Sequence, residues 1–125
     1  MVFQPIEAFV ALASINIENL VNFYIDLLGK PNHVSNVYAE FQLPGLRLGI
    51  FRPKETNLQE FESAKSRISL CLEVANLEDA LAHLTTLGYP PPGEIITASH
   101  GREIYAYDPE GNRLILHQSN QGARG

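Results

Sequence analysis

The sequence predicts an α+β chain made of two units, each running strand, helix, strands. Three observations carry that expectation. A stretch of strand-like character leads to an Asn and then to an apolar period of about 3.6, and this happens twice, half a chain apart. Both helical stretches stop at a Gly, with a Pro two residues later. Extended segments separated by turn signals follow each helix.

The elements follow in order. Phe9–Ser14 and Ser69–Val74 read as strands, and Asn16 and Asn76 as N-caps whose side-chain oxygens accept from first-turn amides. Asp79 adds favourable charge at the second helix start. Ile17, Leu20, Val21, Tyr24, Leu27 and Leu28 form one apolar helical face, and Leu77, Ala80, Leu81, Leu84 and Leu87 the other. Gly29 and Gly88 end the helices before Pro31 and Pro90. Extended segments are expected at 36–43 and 46–52, joined by Pro44-Gly45, and at 94–99, 103–107 and 113–118. Asp108–Asn112 closes the last pair with Pro and Gly at the reversal. The first unit spans about residues 6–52, a polar linker 53–66 with Phe61 as its aromatic anchor, the second unit 67–118, and a frayed tail 119–125.

Composition narrows the function. With 125 residues, 45% hydrophobic and 18% charged, the chain has core material for one domain of ordinary size. A net charge of −5 gives no general attraction to phosphate backbones, so no nucleic-acid partner is expected. One cysteine forbids an internal disulfide and any zinc site needing two thiolates. No apolar run approaches the ~20 residues that span a bilayer. The MVFQPIEAF start lacks the pattern of a secretory signal, so a reduced, cytoplasmic setting without a membrane partner is expected.

The internal repeat, with NFYIDLLG at 22–29 and YDPEGNRLILHQ at 107–118, resembles the vicinal oxygen chelate superfamily of glyoxalases, bleomycin-resistance proteins and extradiol dioxygenases. The resemblance covers about residues 6–118. It implies two paired βαβββ modules whose curved mixed sheets enclose a cup with the helices outside, often completed by a homodimer. Metalloenzymes of that superfamily place ligands on four strands inside the cup. Carried onto this chain, those positions fall on Phe9, Gly49, Ser69 and Ile115, none of which is a useful metal ligand. No metal or other cofactor is therefore expected.

Strand alternation nominates the cup lining as Phe9, Ala11 and Ala13; Arg47, Gly49 and Phe51; Ser69, Cys71 and Glu73; and Arg113, Ile115 and His117. Small residues, aromatics and a few ionisable groups suit an organic-ligand pocket. Glu73 beside Arg113 or Arg47 reads as a structural ion pair, or as a proton acceptor if its pKa is raised. His117 reads as a strand residue or a base, and Cys71 as a small buried hydrophobe. Phe9 and Phe51 stack on a planar ligand or pack in the core. Cys71, Glu73 and His117 are also the types of a substitute zinc site with an open position. His33, His83 and His100 are weaker candidates, although His100-Gly101-Arg102 could edge the cup mouth. The leading expectation is a metal-free protein sequestering a small organic ligand. The alternatives are an isomerase or lyase using Glu73 and His117 or the substitute metal, and a dimerisation scaffold whose cup is filled by Phe9, Phe51 and Phe61.

Overall fold

A computed structural model describes residue 2 and residues 4–62 and 67–120. The chain is α+β, and its contacts divide it into two compact units, residues 1–63 and 64–125.

In the first unit, β1 (Val10–Ala13), helix α1 (Ile17–Leu28), β2 (His33–Val34), β3 (Tyr38–Leu43) and β4 (Leu46–Phe51) form a sheet in the order β1-β4-β3-β2. β1 runs parallel to β4, and the other pairs are antiparallel. The second unit repeats the plan with β5 (Leu70–Glu73), α2 (Leu77–Thr86), β6 (Ile96–Ala98), β7 (Gly101–Tyr107) and β8 (Arg113–Ser119), in the order β5-β8-β7-β6. Here β5 is parallel to β8 and the rest antiparallel. Each unit is thus a βαβββ module, and the sequence repeat is a repeat of topology.

The caps act as their residue types predict. Asn16 Oδ1 accepts from the Asn19 amide at 3.4 Å, and Asn76 Oδ1 from the Asp79 amide at 2.9 Å. At the end of α2, the Gly88 amide donates to Thr85 O and the Tyr89 amide to Leu84 O, which satisfies two carbonyls left free by the last turn. The Asp108 side chain accepts from the amides of Glu110 and Asn112, each at 2.9 Å, and from Asn112 Nδ2 at 2.8 Å. That buried carboxylate organises the β7–β8 turn and fixes the register, with Tyr107 opposite Arg113 and hence Glu103 opposite His117.

Each sheet packs one face on its helix: α1 lies against β3 and β4, and α2 against β8. Leu20, Tyr24, Ala39, Phe41, Leu48 and Ile50 are buried in the first unit; Leu77, Leu84, Ile104, Ala106, Leu114 and Leu116 are buried in the second. Burying one such large aliphatic or aromatic side chain is worth roughly 1.5–3 kcal/mol. Phe23 joins the first core with its ring edge-on to Tyr24, at 5.1 Å between centroids, although it stands outside the predicted apolar face.

Three expectations need correcting. The leading strands are four residues long rather than six, pairing only over Val10–Ala13 and Leu70–Glu73, with the Ser14 and Val74 amides making one further bond each to Phe51 O and His117 O. The segment 53–66 contains a 3-10 helix at Glu55–Phe61, and Phe61 packs edge-on against Phe51 at 5.3 Å; residues 63–66 lie outside the described residues. Ser119 belongs to β8, where it pairs with Gly101; its amide donates to Glu73 Oε2 at 2.7 Å, and the Asn120 amide donates to His100 O. The rest of the expected tail, 121–125, lies outside the described residues.

Candidate functional site

Alternation along paired strands leaves one face of each sheet free of its own helix. In the first unit that face carries Ala11, Ala13, Arg47, Gly49, Phe51, Tyr38 and Glu40, with Phe9 just before β1. In the second it carries Cys71, Glu73, Arg113, Ile115, His117, Glu103, Tyr105 and Tyr107, with Ser69 just before β5. The two lists match layer by layer. The layer Ala13–Phe51–Tyr38 corresponds to Glu73–His117–Glu103, and Ala11–Gly49 to Cys71–Ile115. Next to these, Phe9 beside Arg47 corresponds to Ser69 beside Arg113.

On the first unit's face the polar groups pair with one another and with the rings beside them. The Arg47 guanidinium lies 4.5 Å over the Phe9 ring, is ion-paired with Glu7, and stands 3.6 Å from Glu40. Tyr38 donates its hydroxyl to Glu40 at 2.9 Å. Burial, then the Glu40 carboxylate, push the Tyr38 phenol above its usual pKa. The Tyr38 ring covers Gly49: a Cβ there would stand 3.1 Å from the Tyr38 hydroxyl. Phe51 meets Phe61, whereas Phe9 meets Arg47, so these three phenylalanines do not form one cluster.

The second unit's face is built from ionisable groups. Arg113 donates from Nε to Ser69 Oγ at 2.6 Å. Glu73 Oε1 lies 2.7 Å from His117 Nδ1. Desolvation pushes the Glu73 carboxyl up, but the hydrogen bonds from His117 and the Ser119 amide prevail and hold it at about 2. An ionised carboxylate only accepts, so His117 donates to it from Nδ1. His117 Nε2 faces His100 Nδ1 at 2.9 Å, with the two rings stacked at 5.0 Å.

Several sequence expectations change here. Glu73 pairs with His117, not with Arg113 or Arg47, because β5 and β8 set them side by side while Arg113 is taken by Ser69. Cys71 is exposed rather than buried, since it points away from α2. Arg102 does not edge a cup: it alternates to the helix side, where it bonds Glu78 at 2.5 and 2.8 Å and Gln118 Oε1 at 3.1 Å. Gln118 in turn accepts the Leu77 amide at 2.7 Å. His100, a weaker candidate in the sequence, and Glu103, which the sequence reading does not name, join His117 in a group whose ligand atoms lie within 4.8 Å of one another; Cys71 is not in it. The signal for Glu103 was available, since counting back from the Asp108–Asn112 turn places it opposite His117.

The four positions that would hold the metal of the resembled superfamily do not fit one. They offer a single hydroxyl, Ser69, already bonded to a cation, together with a phenylalanine, a glycine under a tyrosine and an isoleucine. A separate pocket of about 470 Å³ lies on the helix side of the first unit, where Ile15–Glu18, Val21, Asn22 and Ile25 face Val34–Asn36 and Arg52. None of the expected site residues lines it.

The fold is thus shared with solved glyoxalase-related and bleomycin-resistance structures. Among solved structures, the chain is similar to a glyoxalase-related enzyme from Fulvimarina pelagi (TM-score 0.73, 16% identity, 92% of this chain and 89% of that one). It is also similar to a glyoxalase/bleomycin resistance protein from Catenulispora acidiphila (TM-score 0.68, 20% identity, 93% and 100%). A third is the fosfomycin resistance protein FosX from Listeria monocytogenes, complexed with Mn(II) and sulfate (TM-score 0.73, 15% identity, 98% and 96%). No family model and no curated protein matches the chain.

Proposed function

We propose that this chain binds a small organic ligand on the helix-free face of its second unit, with no metal at the four positions conventional for the fold. One observation carries the reading: that face sets the exposed ring of Tyr105, with Ile115 and Cys71, between two polar ends, and the exposed ring of Tyr107 stands beside Arg113 at one of them. At one end Ser69 and Arg113 suit an oxygenated or anionic group; at the other Glu73, His117 and Glu103 suit a donor or a cation. The bleomycin-resistance neighbour supports sequestration through its fold, and the exposed edge strands of the two sheets support a homodimer. No described helix is long and apolar enough to cross a membrane.

The test is a metabolite and drug-fragment screen by amide NMR on the full chain in EDTA. Binders are expected to shift Cys71, Tyr105, Arg113 and Ile115, and Arg113→Ala is expected to weaken binding of anionic ones by about tenfold. Absence of binders, or shifts confined to Val21, Val34 and Arg52 around the first-unit pocket, would overturn the reading.

A second reading, acid–base catalysis, is favoured by the 2.7 Å contact through which Glu73 orients His117. It requires turnover of a bound ligand that His117→Ala abolishes and that binding alone does not predict.

A further inference from the structure

We propose that His100, Glu103 and His117 form a divalent-metal site of borderline softness, such as Zn²⁺ or Co²⁺, with Glu73 as its outer support. The site lies away from the four conventional positions and goes beyond the ligand reading above.

β7 and β8 place Glu103 opposite His117. His100 comes from the turn between β6 and β7, where Asn120 holds both sides: its amide donates to His100 O at 3.2 Å and its Nδ2 to Ser99 O at 2.6 Å. Gly101 makes this approach possible. Its φ is +148°, and a Cβ there would lie 2.3 Å from Gln118 O, so no side-chain-bearing residue brings the turn this close to β8.

The donor atoms follow. Two imidazoles and one carboxylate leave other coordination positions open, the set found in mononuclear sites for borderline divalent cations. Metal–nitrogen bonds of about 2.1 Å put two neighbouring ligand nitrogens roughly 3.0–3.4 Å apart. The His100 Nδ1–His117 Nε2 separation of 2.9 Å needs only a few tenths of an ångström of opening. The Glu73 carboxylate already holds the far nitrogen of His117, as outer carboxylates do for metal-ligating histidines, and the Ser119 amide holds Glu73. Without an ion, the His100 Nδ1–His117 Nε2 contact fills the place; with an ion on Nδ1, the His100 ring carries its one proton on Nε2.

Zn²⁺ alone, titrated calorimetrically into untagged, chelator-treated full chain, tests the proposal, with Co²⁺ visible absorption reporting ligand type. Uptake of one ion per chain with nitrogen–oxygen rather than thiolate spectra is expected. His100→Ala, in an exposed turn, and Glu103→Gln should each weaken binding at least tenfold. Glu73→Gln should weaken it by about 10–100-fold as a positioning residue, without changing the ion count. Cys71→Ser should leave it unchanged. Wild-type protein that takes up no stoichiometric ion overturns the proposal, as does uptake that survives both His100→Ala and His117→Ala in folded variants. Uptake lost in Cys71→Ser would also overturn it, in favour of a thiolate site. Ligand binding by the wild-type chain in EDTA does not depend on metal uptake, so the two proposals fail separately.

Discussion

The two units share a strand order but are finished in opposite ways. On the helix-free face, the first unit fills the layer Ala13–Phe51–Tyr38 with aromatic rings and lays Tyr38 over Gly49. The second fills the matching layer with Glu73, His117 and Glu103. On the helix side the contrast reverses. In the second unit Arg102 and Gln118 tie the sheet to the start of α2; the matching positions of the first unit hold Val37 and Arg52, and a pocket of about 470 Å³ lies beside them. A repeated backbone fixes where side chains stand, while their identities decide which layer is filled with rings and which with ionisable groups.

The largest effect that would break this comparison concerns the shared core. Ile50 and Leu116 occupy matching buried positions, so Ile50→Ala and Leu116→Ala should each cost about 2–5 kcal/mol in urea unfolding. If one cost less than half the other, the units would be alike in topology but not in energetics. Next come the glycines. Gly101→Ala forces a Cβ against backbone and should cost on the order of 2–3 kcal/mol, and it should shift the His100 amide signal as the turn retreats. Gly49→Ala meets only the movable end of Tyr38 and should cost less than about 1 kcal/mol.

Smaller again is an exchange of chemistry between the units. Glu73→Ala alone strands the His117 ring and the Ser119 amide and should cost about 1–2 kcal/mol. Combined with His117→Phe it reproduces the first unit's layer, and thermal unfolding should recover to within about 1 kcal/mol of wild type. Failure of the second change to restore stability would show that the layers are not interchangeable.

The smallest effect is electrostatic. The Arg102 fork, aided by the Glu78 backbone amide, holds the Glu78 carboxyl at about 2, below its usual 4.5. A depressed carboxylate stabilises the fold above the unfolded pKa and loses that contribution as the pH falls from about 4.5 towards 2. Carboxyl carbon NMR should place the Glu78 midpoint near the lower value, and in Arg102→Ala near the upper one. An unchanged midpoint would remove Arg102 as the cause.

Much of this architecture was legible in the chain. The Asn caps, the helical periods, the closing glycines and the Asp108–Asn112 turn act through local geometry, which the residues carry with them. The faces of the strands were equally legible, because a period of two leaves little freedom once a helix covers one side. The candidate site was only half legible. Glu73 and His117 could be put on one face, but their mutual contact depends on the parallel pairing of β5 with β8 across the whole second unit.

The sequence by itself thus determined the repeated order of strand, helix and strands, the caps, the core faces and the misfit of Phe9, Gly49, Ser69 and Ile115 to a metal, but not the short β2 at His33–Val34. Only the tertiary structure decided which charges meet: Glu73 with His117, Arg102 with Glu78, and His100 beside His117 through a turn that Gly101 lets approach β8. The physical reason is range. Capping and periodicity act over a few residues, whereas a hydrogen bond between residues 44 positions apart exists only after strands distant in sequence have paired.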